Sequence, residues 1–191
     1  MAQRLFRFFV LVFAGAAVST GCATSSEEYY QRGTRALRAG NLDAASEAFS
    51  RAVEKDPRRG DTYLELARIY LRDENWLLAS NALREAGRLD PRQRRLAEAL
   101  LRDALYQTAL EELRLGDRRA AIAAFRELYA KSPGYPSLRE VYLGVLTEYG
   151  RDRIVRGDYG EGVQALREAL RLDPENVAAR RLLRRIRFSA K

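Results

Sequence analysis

Cys22 is the only thiol in the chain, and no histidine accompanies it. A cysteine nucleophile normally needs a neighbouring base or cation to become a thiolate. Without histidine there is no His-based triad, no His general base and no His metal ligand. One cysteine has no partner for an intramolecular disulfide, and it cannot build a zinc site of the usual Cys and His kinds. Carboxylates are the remaining candidates for acid–base work. The pair Glu111-Glu112 is of a kind common on helix surfaces and carries no further signal. The stretch GRLDPRQ at residues 87–93 lacks the GxxxxGK[ST] spacing of a phosphate loop. The expectation is a non-enzyme with no catalytic residue, no metal and no cofactor. The abundant polar chemistry is guanidinium. Of 34 basic residues, all but Lys55, Lys131 and Lys191 are arginine, which suits bidentate contacts.

The elements that would position those arginines repeat. AVEKDP ends at Pro57, EAGRLDP at Pro91, ELYAKSP at Pro133 and EALRLDP at Pro174. The prolines are 34, 42 and 41 residues apart, a period that means stacked repeats rather than one layered core. Twenty-four residues before each proline stand Gly33, Ala67, Ala109 and Gly150. Twelve before stand Ala45, Ala79, Ala121 and Gly162, eight before Phe49, Leu83, Phe125 and Leu166, and five before Ala52, Ala86, Leu128 and Ala169. Between the two small columns lie Gly40-Asn41, Asp73-Glu74-Asn75, Gly116-Asp117 and Gly157-Asp158. Glycine past a helix end and Asp or Asn before the next helix are stop and start signals. Each unit is therefore helix A, a tight turn, helix B and a stop at the proline. Small residues let the two helices of a pair approach closely. The large column fills the space to the next pair.

These columns resemble the tetratricopeptide repeat over about residues 26–174. Repeats one, two and four match best, through Gly33, Ala45, Phe49, Ala52 and Pro57, then Tyr63, Leu66, Ala67, Tyr70, Ala79, Ala86 and Pro91, then Tyr159, Ala169 and Pro174. The third departs at Leu128 and Ser132. The fourth has Gly162 where the family usually has Ala, which is weak for a B helix. The extra residues of the longer periods fall upstream of Ala109 and Gly150. They read as two lengthened A helices, about residues 92–115 and 136–156; the alternative is two short loops at 92–95 and 134–137.

In this family the inner, concave side is lined mainly by A-helix residues. The resemblance places there Tyr30, Thr34, Leu37 and Arg38, then Leu64, Arg68, Leu71 and Arg72. It adds Tyr106, Leu110, Leu113 and Arg114, then Thr147, Arg151, Ile154 and Val155. Tyr30, Arg38, Leu64, Arg68, Arg72, Tyr106, Leu110, Arg114 and Arg151 are the candidate groove residues. Aromatic and arginine side chains are enriched at binding hot spots. They suit an extended or helical peptide with apolar anchors and acidic residues. The other role open to the same positions is core packing of lengthened helices. The Lys and Asn clamp that some members close on a carboxyl terminus is absent, Tyr30 and Thr34 standing where it would start. Trp76, opening a B helix beside Asn75, reads as packing.

The N-terminus has the pattern of an export signal. Arg4 and Arg7 precede the apolar residues 8–18, a stretch too short for a comfortable membrane span. Ser19-Thr20-Gly21-Cys22 follows, then Ala23-Thr24-Ser25-Ser26. This resembles a bacterial lipoprotein signal, in which the cysteine becomes the lipidated first residue. Gly21 fits; Ser19 stands where the family usually has Leu. Such lipoproteins typically carry three acyl chains of the palmitate class, and a lone chain would hold only marginally. Ala23 after the cysteine, rather than Asp, implies the outer membrane. Two other readings are open: secretory cleavage after Ala14-Gly15-Ala16, giving a soluble periplasmic protein, and an uncleaved anchor.

The net charge of +8 is concentrated at the ends. Residues 22–174 carry +1, while residues 175–191 carry +5 through Arg180, Arg181, Arg184, Arg185, Arg187 and Lys191 against Glu175. Ala179, Leu182, Leu183 and Ile186 form one apolar stripe among these arginines. The segment is a terminal capping helix, which repeat arrays require. It serves either as a cap alone or as a cap that also docks acidic headgroups, an acidic partner or anionic cell-wall polymer. Nucleic acid is not expected, because an exported protein does not meet it routinely.

The expected architecture is all-α: a signal peptide (1–21), a lipidated Cys22 with a short tether (22–28), and a right-handed superhelical solenoid over 29–174. Its four helix pairs span about 26–59, 60–91, 92–133 and 136–174, and the basic cap is 175–191. The resemblance implies a membrane-tethered scaffold of the bacterial envelope. It would bind a partner protein or peptide in its groove, as small lipoproteins of this kind do in pilus, secretin or outer-membrane assembly. The alternative is an envelope protein contacting peptidoglycan through its basic last helix.

Overall fold

Helix-capping chemistry sets the frame of the chain. The computed structural model describes residues 24–189, which form nine α-helices and, among the described residues, no strand. Residues 1–23, with Cys22 and the whole signal segment, lie outside them, as do Lys191 and the side chain of Arg187. The helices are α1 (Ser26–Arg38), α2 (Leu42–Lys55), α3 (Gly60–Arg72), α4 (Trp76–Leu89), α5 (Arg94–Leu115), α6 (Arg118–Lys131), α7 (Leu138–Val155), α8 (Tyr159–Leu172) and α9 (Val177–Ser189). A capping box opens α1: the Glu28 amide donates to Ser25 Oγ, and the Ser25 amide donates back to Glu28 Oε2. Asn41, Asn75 and Asp117 accept the amides of Ala44, Leu78 and Ala120 and so start the B helices α2, α4 and α6. Asp158 occupies the same place before α8, but its carboxylate is drawn off to Arg153 at 3.0 Å.

The tight turns need a left-handed residue. Gly40, Gly116 and Gly157 supply it with φ of 76–86°. In the second repeat Glu74 takes that conformation, φ 54°, at a steric cost that glycine avoids.

The helices pack as a linear array. Each A helix lies against the B helix that follows it, and each B helix against the next A helix; α9 also reaches back to α7. The column residues build the core. Ala45, Ala79 and Ala121 are fully buried, as are Phe49, Phe125 and Leu166, with Leu83 nearly so. Ala52, Ala86, Leu128 and Ala169 are buried too, so the larger Leu128 is accommodated without exposure. Burying one large apolar side chain is worth roughly 1.5–3 kcal/mol. The extra residues of the two long periods lie largely in helices: α5 has 22 residues and α7 has 18, against 13 for α1 and α3. Their added turns bury Ala97, Leu101, Leu138 and Tyr142. Residues 132–137 remain as a turn between α6 and α7.

At the crossing of α7 and α8 both contact residues are glycine. A Cβ on Gly162 would lie 2.9 Å from the Gly150 carbonyl oxygen and 2.8 Å from Ile154 Cγ1. A Cβ on Gly150 would lie 2.7 Å from Leu166 Cγ. Gly162 is therefore a requirement of close approach, and this offsets its poor helix propensity.

Ion pairs tie one B helix to the next. Arg84 of α4 grips Glu127 of α6 through contacts of 2.6 and 3.0 Å. One repeat further, Arg126 of α6 grips Glu168 of α8 at 2.8 and 2.9 Å. Glu168 also accepts the hydroxyl of Tyr142, whose side chain is almost fully buried. Arg126, with Tyr142 behind it, holds the Glu168 carboxyl below the usual carboxylate range. A carboxyl depressed in the folded state adds stability above its unfolded pKa, about 4.3, and loses that contribution as pH falls. The Glu168→Gln variant should therefore be less stable than wild type by a constant margin above about pH 6, and the margin should shrink as pH drops through about 4. Chemical denaturation of both proteins across that range measures it. A margin that does not change with pH would show that the Glu168 charge contributes nothing.

Candidate partner-binding surface

The A helices carry the candidate groove residues, and the structure sorts them into three kinds. Arg38 and Arg72, near the ends of α1 and α3, are exposed and hold no ion pair among the described residues. Arg68, Arg114 and Arg151 are also exposed, but each is paired within its own helix three residues back, with Glu65, Glu111 and Glu148. Such pairs on a helix surface are weak and exchange readily for an incoming acid. Leu110 of α5 is exposed between them at 36%.

The aromatic positions are part surface and part core. Tyr30 lies half-buried, its ring 5.5 Å from Phe49 on one side and 4.1 Å from the Arg59 guanidinium on the other. Burial, with Asp61 and Glu65 nearby, pushes its hydroxyl pKa up. Arg59 in turn bonds Glu27 at 2.5 Å and Asp61 at 2.9 Å, which joins the first turns of α1 and α3. The side chain of Gln31, then Arg59, holds the Glu27 carboxyl below its ordinary range. Tyr106 packs against Phe125 at 6.1 Å and Tyr135 at 5.1 Å. Tyr135 donates to Asp103 at 2.9 Å, and burial together with that carboxylate pushes its pKa up to about 12. A phenol so placed stays neutral and packs; it does not act as a base.

Other candidates fall inside. Leu64 is only 4% exposed and belongs to the core, because α3 turns that side of its first turns toward neighbouring helices. It offers nothing to an incoming chain. Leu37, Leu71, Leu113 and Ile154 are partly buried against the same core. The hydroxyls of Thr34 and Thr147 are taken by their own helices, through the carbonyls of Tyr30 and Leu143. Val155, in contrast, is 80% exposed. The structure thus leaves Arg38, Arg68, Arg72, Arg114, Arg151 and Leu110 accessible, with Tyr30 and Tyr106 half-open. Sequence reasoning missed the Arg59–Glu27–Asp61 bridge, because Arg59 sits in the linker before α3. A charged residue between two acids one turn into consecutive A helices was the signal that could have found it.

The last helix repeats the A-helix pattern but not its small residue. Arg184 stands ten residues after Pro174, as Ala67 stands ten after Pro57. Ala67 is fully buried, whereas Arg184 is exposed. A large charged side chain at this point hinders the close helix approach that Ala67 permits. Arg180 pairs with Glu175 at 2.6 Å, and Arg181 is exposed. Arg185 is exposed too and is engaged by a neighbour. Ala179 is fully buried, and Leu182 and Leu183 pack against the core.

Among the described residues no group of acidic, Cys or His side chains is arranged to hold a metal ion, and no helix is long and apolar enough to cross a membrane.

Comparison with known proteins places the fold. A family model described as tetratricopeptide repeat matches residues 30–93 and 148–190, more than half of the chain. No curated protein matches. Among solved structures, the MamA protein is 20% identical, covering 81% of this chain and 76% of its own, with a TM-score of 0.36. A protein of such repeats from Bacteroides fragilis is 16% identical over 77% of this chain and 62% of its own, with a TM-score of 0.47. The N-terminal domain of stress-induced protein-1 from C. elegans is 17% identical over 63% of this chain and 93% of its own, with a TM-score of 0.42. Tetratricopeptide repeat domains bind protein partners and are generally non-catalytic interaction modules, so the fold suggests a protein–protein interaction scaffold. With its four helix pairs, its small and large columns in register and the family model matching most of its length, the chain belongs to the tetratricopeptide repeat family.

Proposed function

We propose that this protein is a non-catalytic scaffold of the bacterial cell envelope, tethered to the outer membrane through lipid on Cys22. Its A-helix surface binds a partner peptide or protein during assembly of an envelope, pilus or secretin complex. The observation that carries the binding reading is the row of accessible arginines, Arg38, Arg72, Arg114 and Arg151, on successive A helices beside Tyr30, Tyr106 and Leu110. Repeats stacked in register present such a row to one extended ligand. Its chemistry favours an acidic segment with apolar anchors. The tether reading rests on the order of residues 4–26: two arginines, a short apolar stretch, Gly21-Cys22, then small and polar residues.

Two measurements test the two halves. Arg72→Glu combined with Arg114→Glu should leave helical content unchanged and remove the partners captured by the wild-type protein. An unchanged set of partners would sink the binding surface. Fractionation with mass spectrometry of the mature N-terminus should find acylated Cys22 in the outer membrane, and Cys22→Ala should release the protein. A mature start near Ala17 in a soluble protein would remove the tether and leave a free periplasmic adaptor.

A second reading draws on the exposed Arg181 and Arg184 of α9. They supply cationic groups for anionic cell wall at the end of the array. Arg181→Glu with Arg184→Glu should then stop sedimentation with purified peptidoglycan, and retained sedimentation would count against it.

A further inference from the structure

Between the second and third repeats lies an apolar notch whose charge is opposite to that of the molecule. Trp76 and Leu77, at the start of α4, and Leu115, at the end of α5, line it. Leu77 is 51% exposed and Leu115 64%, and Trp76 is partly exposed where sequence reasoning made it packing. Large aliphatic side chains left open together mark an interaction surface. Asp73, Glu74 and Glu112 rim the notch, and no lining residue is basic. Glu111, also in the lining, is paired with Arg114, whereas the other three acids hold no ion pair among the described residues. The C-terminal ends of α3 and α5 both open here, and their carbonyls add to the negative field. A protein of net charge +8 thus keeps one uncompensated acidic, apolar recess.

The complementary surface is on the same chain. On α9 the side chains of Arg181 and Arg184 are exposed, and Val177 at its start is 64% exposed. Nearly all the excess charge of the body and cap is in this last segment. We propose that the exposed face of α9 in one copy docks into the Trp76–Leu115 notch of a second copy. Arg181 and Arg184 then meet Glu74, Glu112 and Asp73, and an aliphatic side chain enters beside Leu77. The two patches are different, so the contact is heterologous and a docked pair still offers one free notch and one free α9 between its two copies. The protein builds open chains of copies, with their A-helix surfaces left to other partners. This contact depends on neither the lipid tether nor the groove.

The experiment is sedimentation velocity on the purified full chain in mild detergent, from micromolar to submillimolar protein, at low and high salt. Wild type should grow into larger species with concentration at low salt, and high salt should weaken this, because the contact is partly electrostatic. Glu74→Lys with Glu112→Lys should stay monomeric, and so should Arg181→Glu with Arg184→Glu. Each variant then has two surfaces of like charge. Mixing the two in equal amounts should restore association, since each again meets its opposite. All four positions are exposed or partly exposed, and unchanged helical circular dichroism confirms folding. Wild type that remains monomeric throughout overturns the proposal, as does association that both double variants retain.

Discussion

Replacing Phe125 with alanine is expected to destabilise the protein by about 4 kcal/mol, the upper range for losing a buried aromatic side chain. Phe125 is fully buried at the centre of α6. Its ring contacts Tyr106 of α5 at 6.1 Å and Tyr142 of α7 at 5.8 Å, so one side chain fills the joint between the third and fourth repeats. Tyr142 continues to Tyr129 at 6.3 Å and, through its hydroxyl, to Glu168. Removing the ring opens a cavity that neighbours cannot fill, because Leu128, Leu138 and Leu146 around it are already fully buried. The loss should concentrate in α6 to α9, since a linear array couples only neighbours. Denaturant unfolding gives the total, and amide exchange locates it. A loss below about 1 kcal/mol, or one spread evenly to α1, would contradict this account of the joint.

Gly162→Ala and Gly144→Ala should have opposite signs. Both residues are helical, and alanine favours a helix interior over glycine by about 1 kcal/mol. At Gly144 of α7 a new Cβ meets nothing within 4 Å, so that gain should appear in full. At Gly162 of α8 it meets the Gly150 carbonyl oxygen at 2.9 Å and Ile154 Cγ1 at 2.8 Å. Ile154 can turn aside, but the carbonyl is backbone of the facing helix and cannot. The helices must separate, and overpacking of this kind costs roughly 1–3 kcal/mol, more than propensity returns. Thermal midpoints of the two variants beside wild type decide it. A rise for both would show that the α7–α8 crossing tolerates a wider spacing.

Most of the fold was legible because its rules are local and repeated. The Gly and Asn or Asp break signals gave the turns, and the small and large columns gave the buried faces. Four copies of one pattern identify a helix pair far better than one. The lengthening of α5 and α7 was legible in the longer periods, but their first residues were not: the helices start at Arg94 and Leu138, two residues later than the sequence reading placed them. Arg94 and Arg95 open α5 without a capping side chain, so the signal that would mark its start is missing. The candidate surface was less legible. Arg38, Arg72 and Leu110 are accessible as the family pattern implies, but Leu64 fills core, because whether an A-helix position faces outward depends on how far its neighbour has rotated. Gly162 looked weak for a helix until the facing Gly150 gave it a partner. Trp76 looked like packing, yet α5 leaves part of it open beside Leu77 and Leu115.

The sequence alone determined the helix pairs, their order, the core columns, the charge at the C-terminal end and the absence of histidine chemistry. These follow from spacing and composition, which folding does not alter. Only the tertiary structure decided which charged groups are spent on each other and which stay free. Arg84, Arg126 and Arg59 bind acids from 2 to 43 residues away, whereas Arg72, Asp73 and Glu112 bind none among the described residues. Charge pairing depends on distances of a few ångströms between helices far apart in sequence, and those distances exist only once the array has stacked.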